Sequence, residues 1–209
     1  MNSLLLAVVL AAAPSMAAPT TQKPVAGVLL SLLGAPTVTS ADGKAKKLKR
    51  QQFICESDVI KTGAGERATI ALVGGAELRI NENSEFIVDS GGGKGPAGVS
   101  ANSGQAWIHI LHGKSGIDVA GPSAVAAIRG AEADVEIGKG MIVKVYEGRV
   151  DLRGPAGAQS LEAGMIGQVG AAPRRMAPSD YGTWQDPPRK DPPKQGVHIK
   201  NKPAPSKQP

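Results

Sequence analysis

The feature that most constrains this fold is a long succession of short alternating segments separated by glycines. Between Gly27 and about Val169, brief runs rich in β-branched residues alternate with glycine-rich turns. In ATIALV, Ile70 and Leu72 fall on one face, because successive side chains of a strand point to opposite faces. No segment of this region has the spacing of an amphipathic helix. The pattern predicts an all-β domain of about ten to twelve short strands, arranged as a sandwich, a barrel or a solenoid.

The two ends of the chain differ from this central region. Residues 1–17 are interpreted as a signal peptide of an exported, periplasmic or secreted protein, since their apolar run is too short for a transmembrane span. Residues 18–26 form a linker and residues 27–170 the β domain in this interpretation. Residues 171–209 hold nine of the 16 prolines and eight Lys/Arg against three Asp/Glu. This composition predicts a basic, proline-rich and disordered tail.

Six segments occur in an order that is specific even though each is short. They read GVLLSLLGAPTV, SDVIKTGAGERATIALVGGAELRINENSEF, GQAWIHI, AAIRGAEADVEI, IVKVYEGRVDLR and SLEAGMIGQV. This order resembles the FecR domain, a module of the bacterial envelope, and the resemblance implies a small twisted β-solenoid-like fold. Where the family has a hydroxyl and an aromatic ring, this chain has Ala131 and Ala133. We expect Trp107 to fill the space left by the missing ring.

The resemblance does not extend to the signalling parts of the family. Members that regulate transcription usually carry a cytoplasmic anti-sigma segment, a membrane helix and a receptor-contacting domain, and we find none of these in the sequence. We therefore expect no direct contact with a cytoplasmic sigma factor. Export and the absence of interleaved aromatic residues on the domain also argue against nucleic-acid binding.

The segment AAIRGAEADVEIG combines carboxylates at a spacing of two. Glu132, Asp134 and Glu136 fall on one face of a strand, and Arg129–Gly130 is interpreted as the turn that leads into it. A solvated acidic face is the favoured interpretation, because polar faces of this kind are common on half-buried strands. Acid–base chemistry or cation binding at this stripe is the alternative.

The remaining candidate motifs favour structural roles. His109 and His112 are three residues apart and fall on opposite faces of a strand, so they do not form a metal site. KTGAGERA, residues 61–68, lacks the spacing of a phosphate-binding loop and is interpreted as a hairpin turn. Cys55 lies among apolar neighbours and is predicted to be a buried structural thiol. No nucleophile motif accompanies them, so we expect no enzyme activity, no metal and no cofactor.

The tail combines aromatic, proline and basic residues. Tyr181, Trp184, Arg189 and Lys190 are the candidate partner-binding residues, because a proline-rich segment with aromatic anchors can dock in a groove and its charge favours anionic surfaces. A solubilising end with Trp184 packed back on the domain is the open alternative. The predicted function is non-catalytic binding of another envelope protein or an anionic envelope polymer; a small-molecule or cation sensor is the second candidate.

Overall fold

The computed structural model describes residues 23–40, 43–111, 114–182 and 184. Within them lie one short 3-10 turn at Pro178–Asp180, no α-helix, and fifteen strands. The strands are β1 (Val25–Leu33), β2 (Thr37–Thr39), β3 (Ala45–Lys47), β4 (Phe53–Cys55), β5 (Asp58–Thr62), β6 (Arg67–Leu72), β7 (Ala76–Ile80), β8 (Ser84–Ser90), β9 (Ala97–Ile110), β10 (Ile117–Ala120), β11 (Val125–Ile137), β12 (Met141–Gly154), β13 (Gly157–Glu162), β14 (Met165–Gln168) and β15 (Arg174–Arg175). The predicted all-β class is confirmed.

Two of the sequence-based assignments concern the chain ends. The predicted signal peptide, residues 1–17, lies outside the described residues, as does most of the proline-rich tail. Among the residues that the structure does describe, no helix is long and apolar enough to cross a membrane. The ordered chain continues past the boundary predicted at residue 170, because β15 pairs with β14.

All fifteen strands belong to one open, mixed sheet, which is organised as two rows. Row 1 runs β3–β2–β5–β8–β9–β10–β11–β12–β13. Row 2 runs β4–β1–β6–β7–β9–β11–β12–β14–β15. Strands β9, β11 and β12 take part in both rows, so these three long strands join the two rows into one sheet. Within the described residues β9–β10 is the one parallel pair.

Each of the three shared strands changes row at a glycine. Along the chain β9 and β11 pass from row 1 to row 2, at Gly104 and Gly130, whereas β12 passes from row 2 to row 1 at Gly148; all three glycines have positive φ. The pairing of β11 with β12 is irregular between Arg129 and Glu132. The Arg129–Gly130 pair is therefore a bulge inside a long strand, so the predicted turn before the strand is wrong. A bulge increases local twist and bends the strand, which lets one strand serve two rows.

The buried faces of the two rows share one apolar core. Phe86 and Ile60 of row 1 and Leu78 and Ile70 of row 2 are fully buried in the same cluster of contacting side chains. Burial alternates along most strands, as period-two patterning predicts, so the opposite faces of both rows point outward. The expected hairpin at residues 61–68 is wrong, because β5 pairs with β2 and β8 whereas β6 pairs with β1 and β7. This turn carries the chain from one row to the other.

Trp107 does not fill the space beside Ala133 as expected. Ala133 is fully buried in the shared core, whereas Trp107 belongs to a separate cluster with Tyr146 and Met176. The register explains the difference: Trp107 lies opposite Asp134, so its side chain is on the outer face of row 2. Ala131 and Ala133 pack directly against other side chains of the shared core.

The bend in β12 requires a residue without a side chain at Gly148, and this requirement can be tested by substitution. A Cβ at this position would press on the carbonyl oxygen of Gly130 and lie 2.8 Å from Ala131 Cα, whereas a Cβ at Gly130 would meet no atom within 4 Å. Gly148→Ala is therefore expected to lower the free energy of unfolding by about 3 kcal/mol or more, since backbone atoms must move. Gly130→Ala carries only the left-handed backbone penalty of roughly 1 kcal/mol. Urea denaturation measures both values, and equal losses would contradict the crowding explanation.

Candidate functional site

The outer face of row 2 carries one continuous ladder of side chains across eight strands. Each member lies directly opposite the next in the strand register. In order the members are Ser31, Thr69, Arg79, Trp107, Asp134, Lys144, Ile166 and Arg174. Cross-strand neighbours of this kind are close enough for their side chains to interact. The ladder places two of the sequence-predicted polar features, the acidic stripe and the chain's C-terminal segment, on the same surface.

Two polar neighbours, Glu132 and Arg79, hold Trp107 near the centre of the ladder. Its Nε1–H donates a hydrogen bond to Glu132 Oε1 at 2.9 Å. The guanidinium carbon of Arg79 lies 4.2 Å from the centre of the Trp107 ring, a cation–π distance. Arg79 Nε in turn donates to Glu77 Oε1 at 2.7 Å. These contacts hold the Trp107 ring on the outer face, where it packs in a cluster with Tyr146 and Met176.

Asp134 is almost completely buried although it lies on an outer face. Its carboxylate accepts two hydrogen bonds from Gln105 Nε2, at 3.0 and 3.1 Å, and one from Trp184 Nε1 at 3.0 Å. Burial raises the pKa of Asp134 to about 6, and the like charge of Glu136 adds to this. The hydrogen bonds from Gln105 and Trp184 and the charge of Lys144 oppose that rise.

The cover over Asp134 is the C-terminal strap, which we define as residues 174–182 together with Trp184. It begins with β15 against β14, and Met176 N–H donates to the Gly164 carbonyl at 2.8 Å. Both oxygens of Asp180 accept from the Arg174 guanidinium, at 2.7 and 3.0 Å, which holds the pKa of Asp180 well below its ordinary range. The ion pair between Arg174 and Asp180 thus joins the first strand of the strap to its 3-10 turn.

Aromatic contacts attach the far end of the strap. The Tyr181 ring lies 6.0 Å from the Tyr146 ring, and the Tyr146 hydroxyl accepts a hydrogen bond from Gly182 N–H at 3.4 Å. Arg67 Nη1 donates to the Trp184 carbonyl oxygen at 2.6 Å, and the Arg67 guanidinium lies 5.9 Å from the Trp184 ring. Trp184 is therefore held through its indole N–H, its ring and its carbonyl group.

The structure separates the predicted partner-binding residues. Tyr181 and Trp184 are half-buried against the domain, the arrangement given above as the alternative for Trp184. Arg189 and Lys190 lie outside the described residues. The predicted acidic stripe does share one face, but the solvated interpretation is wrong for Glu132 and Asp134, because the strap and Trp107 cover them. Only Glu136 remains exposed.

The other candidate residues do not converge on a reactive centre. His109 lies with its ring 5.7 Å from that of Trp107, and His112 is not among the described residues. Cys55 is half-buried, and its backbone N–H donates to Asp58 Oδ2 at 2.9 Å. Burial and the nearby Asp58 charge raise the pKa of the Cys55 thiol, which disfavours the reactive thiolate. Across the described part of the chain, no three His, Cys, Asp or Glu side chains are grouped to hold a metal ion.

Sequence reasoning did not identify Gln105, Arg67 or Arg79 as part of this site. Each is an ordinary polar residue in a strand, and its role depends on which strand lies next to it. The one local signal is the pair of tryptophans, since the chain has only two and both are in this surface. A tryptophan in a proline-rich tail needs a partner for its indole N–H when it is buried.

Comparison with known proteins gives one family and one group of structures. The FecR protein family model matches residues 58–151, which confirms the resemblance for the segment from β5 to β12. Two crystal structures of a "putative anti-sigma factor" from Parabacteroides distasonis ATCC 8503 match at 16% and 15% identity, each with a TM-score of 0.49. Each alignment covers 56% of this chain and 58% of that one, so the chain spans little more than half of their length. No curated protein matches significantly.

The raised pKa of Asp134 predicts how stability depends on pH. Since folding favours the protonated carboxyl, its stabilising contribution is complete below about pH 4 and is lost as the pH rises through about 6. We expect the wild type to lose about 2 to 3 kcal/mol from this group between pH 4 and pH 7, relative to Asp134→Asn. The measurement is urea unfolding at a series of pH values. Parallel pH profiles for the two proteins would contradict the assignment.

The indole hydrogen bond to Asp134 can be tested separately from aromatic packing. Trp184→Phe removes the donor from a buried carboxylate, so we expect a loss of about 1 to 3 kcal/mol in the free energy of unfolding. Tyr181→Phe keeps its ring on Tyr146 and is the matched control, expected to change stability by less than about 0.5 kcal/mol. Chemical denaturation at pH 7 compares the two. Equal effects would mean that the hydrogen bond does not hold the strap.

Proposed function

We propose that this chain, whose residues 58–151 match the FecR family, is a non-catalytic binding protein of the bacterial cell envelope. In this proposal it is exported and contacts another envelope protein or an anionic envelope polymer. The domain and the basic tail both take part in the contact. The observation that carries the proposal is the attachment of the strap, which fixes the start of the tail at one place on the sheet.

The attachment of the strap supports a role in which the domain holds the basic segment beyond Trp184 near a binding partner. Residues 185–209 contain six Lys/Arg and two Asp/Glu, so the segment that begins beyond Trp184 is strongly basic. Three contacts at Trp184 hold the point where this segment begins. A charged segment held at a fixed place has a higher effective concentration near a partner bound on the adjacent sheet face. The rigid sheet and the basic segment can therefore act as one bipartite binding element.

The chemistry of the polar face supports binding more than catalysis. Glu132 and Asp134 are two buried carboxylates of the acidic stripe, but Glu132 accepts a hydrogen bond from Trp107, and Asp134 accepts hydrogen bonds from Gln105 and Trp184. Both are covered by the protein itself, whereas general acid–base catalysis needs the group within reach of a substrate. A depression of about 310 Å³ near β13 and β14 is lined by no ionisable side chain.

A sensor is the second candidate function, and the raised pKa of Asp134 beneath the strap is the observation that favours it. A cation bound by Glu132 and Asp134 would have to displace the indole N–H groups that now occupy their oxygens. We expect calcium to raise the midpoint of thermal unfolding if this candidate is correct. No shift at millimolar calcium, with magnesium as the control cation, would contradict it.

Crosslinking in intact envelopes tests the binding proposal. Full-length protein is compared with a form that ends at Trp184, since a cut nearer to residue 171 would remove the strap and uncover Asp134. We expect a defined partner that is captured by the full-length protein and captured less efficiently by the shorter form. An exported protein of similar size and charge is the control for non-specific capture.

The outcomes distinguish the two binding elements. Equal capture by both forms would place the contact on the sheet, which is still a binding function. Capture of no partner above the control, by either form, would contradict the proposal.

A further inference from the structure

A groove of about 290 Å³ opens beside Trp184, at the end of the ladder that the strap leaves uncovered. Its lining includes three arginines, Arg50, Arg67 and Arg79, and the apolar side chains of Leu33 and Trp184. The register places Leu33 opposite Arg67 on neighbouring strands. Three arginines therefore lie beside the apolar side chains of Leu33 and Trp184 in one concavity on the outer face of row 2.

The groove carries excess positive charge. Arg79 is paired with Glu77, with 2.7 Å between its Nε and the carboxylate oxygen. Arg67 donates to a carbonyl oxygen, which leaves its charge uncompensated, and Arg50 is exposed. Neither of these two arginines forms an ion pair with any residue that the structure describes. Low-dielectric walls concentrate the field of such charges, so the groove attracts anions.

The positive charge continues beyond the groove along an exposed strand edge. The sequence KAKKLKR, residues 44–50, contains five Lys/Arg and ends at Arg50. Lys47 and Lys49 are both exposed, and β3 lies at the outer edge of row 1. This run is longer than one anionic group needs. It fits a ligand that carries several negative charges along an extended backbone.

We propose that the groove binds an acidic segment of a partner protein in which carboxylates alternate with bulky apolar residues. A carboxylate matches the planar fork of the Arg50 and Arg67 guanidinium groups. An apolar neighbour fits against the exposed side chain of Leu33, which offers no hydrogen bonds to the hydroxyl groups of a polysaccharide. The inference rests on the proposed binding function and names the chemistry of its partner.

The test uses the full chain and two capped tetrapeptides, one of alternating leucine and aspartate and one of alternating leucine and asparagine. Titration is followed through the indole N–H resonances of the two tryptophans in NMR spectra, with Trp184 as the reporter in the groove. We expect the aspartate peptide to bind at least tenfold more tightly. Arg50→Gln should weaken its binding about tenfold, whereas Lys139→Gln, at an exposed lysine in the turn between β11 and β12 and away from the groove, should change it less than twofold.

Three results would overturn the proposal. Equal affinity for the two peptides would show that the groove does not select carboxylates. Equal weakening by Arg50→Gln and Lys139→Gln would assign the effect to the general positive charge of the protein. Binding that is lost in a chain that ends at Trp184 would show that the peptide binds the basic tail and not the groove.

A fourth measurement separates a protein segment from a polysaccharide. Leu33→Ser should weaken binding of the aspartate peptide about fivefold and leave heparin oligosaccharide binding unchanged. If the peptide is insensitive to Leu33→Ser while heparin depends on Arg50, the ligand is an anionic polysaccharide and the proposal is wrong. These peptide results do not depend on envelope crosslinking, so the inference can fail while the proposed function stands.

Discussion

The structure depends on three long strands that each pair in two rows. Because β9, β11 and β12 bend at glycines with positive φ, the same three strands contribute to both rows, and the two rows enclose one apolar core. The bends also set the register of row 2, and a shift by one residue would move every side chain to the opposite face. The arrangement of Arg79, Trp107 and Asp134 on one outer surface is therefore a consequence of the same backbone geometry that forms the core.

Carboxylates that are buried on the outer face of row 2 need hydrogen-bond donors to replace water. Asp134 and Glu132 are buried by the strap and by Trp107, but each accepts hydrogen bonds from N–H donors, which offsets the loss of water. The apolar bodies of the tryptophans exclude solvent while their indole N–H groups satisfy the carboxylates. Because the tryptophan side chains both exclude water and donate hydrogen bonds, the strap can pack on a polar surface although it has few apolar residues.

The sequence is a good guide to features that repeat locally and a poor guide to those that depend on neighbouring strands. Alternation correctly predicts an all-β chain and places Glu132, Asp134 and Glu136 on one face. It does not reveal that the strap covers two of them, because that contact joins Asp134 to Trp184, fifty residues later. Likewise, Arg129–Gly130 reads as a turn because a bulge and a turn share the same local residue preferences. The side of the sheet on which Trp107 lies depends on its register with Asp134, which no local pattern contains.

The direction of the strap has a mechanical consequence. It crosses the strands of row 2 from β15 toward Arg67, so its contacts at Arg174, Tyr181 and Trp184 lie one after another along its path. A force applied to the chain beyond Trp184 would load these contacts singly, beginning with the indole, and would not load the sheet's backbone hydrogen bonds in parallel. Tension on the tail would thus release Trp184 first and bring water to Asp134 before it acted on the pairing of β15 with β14.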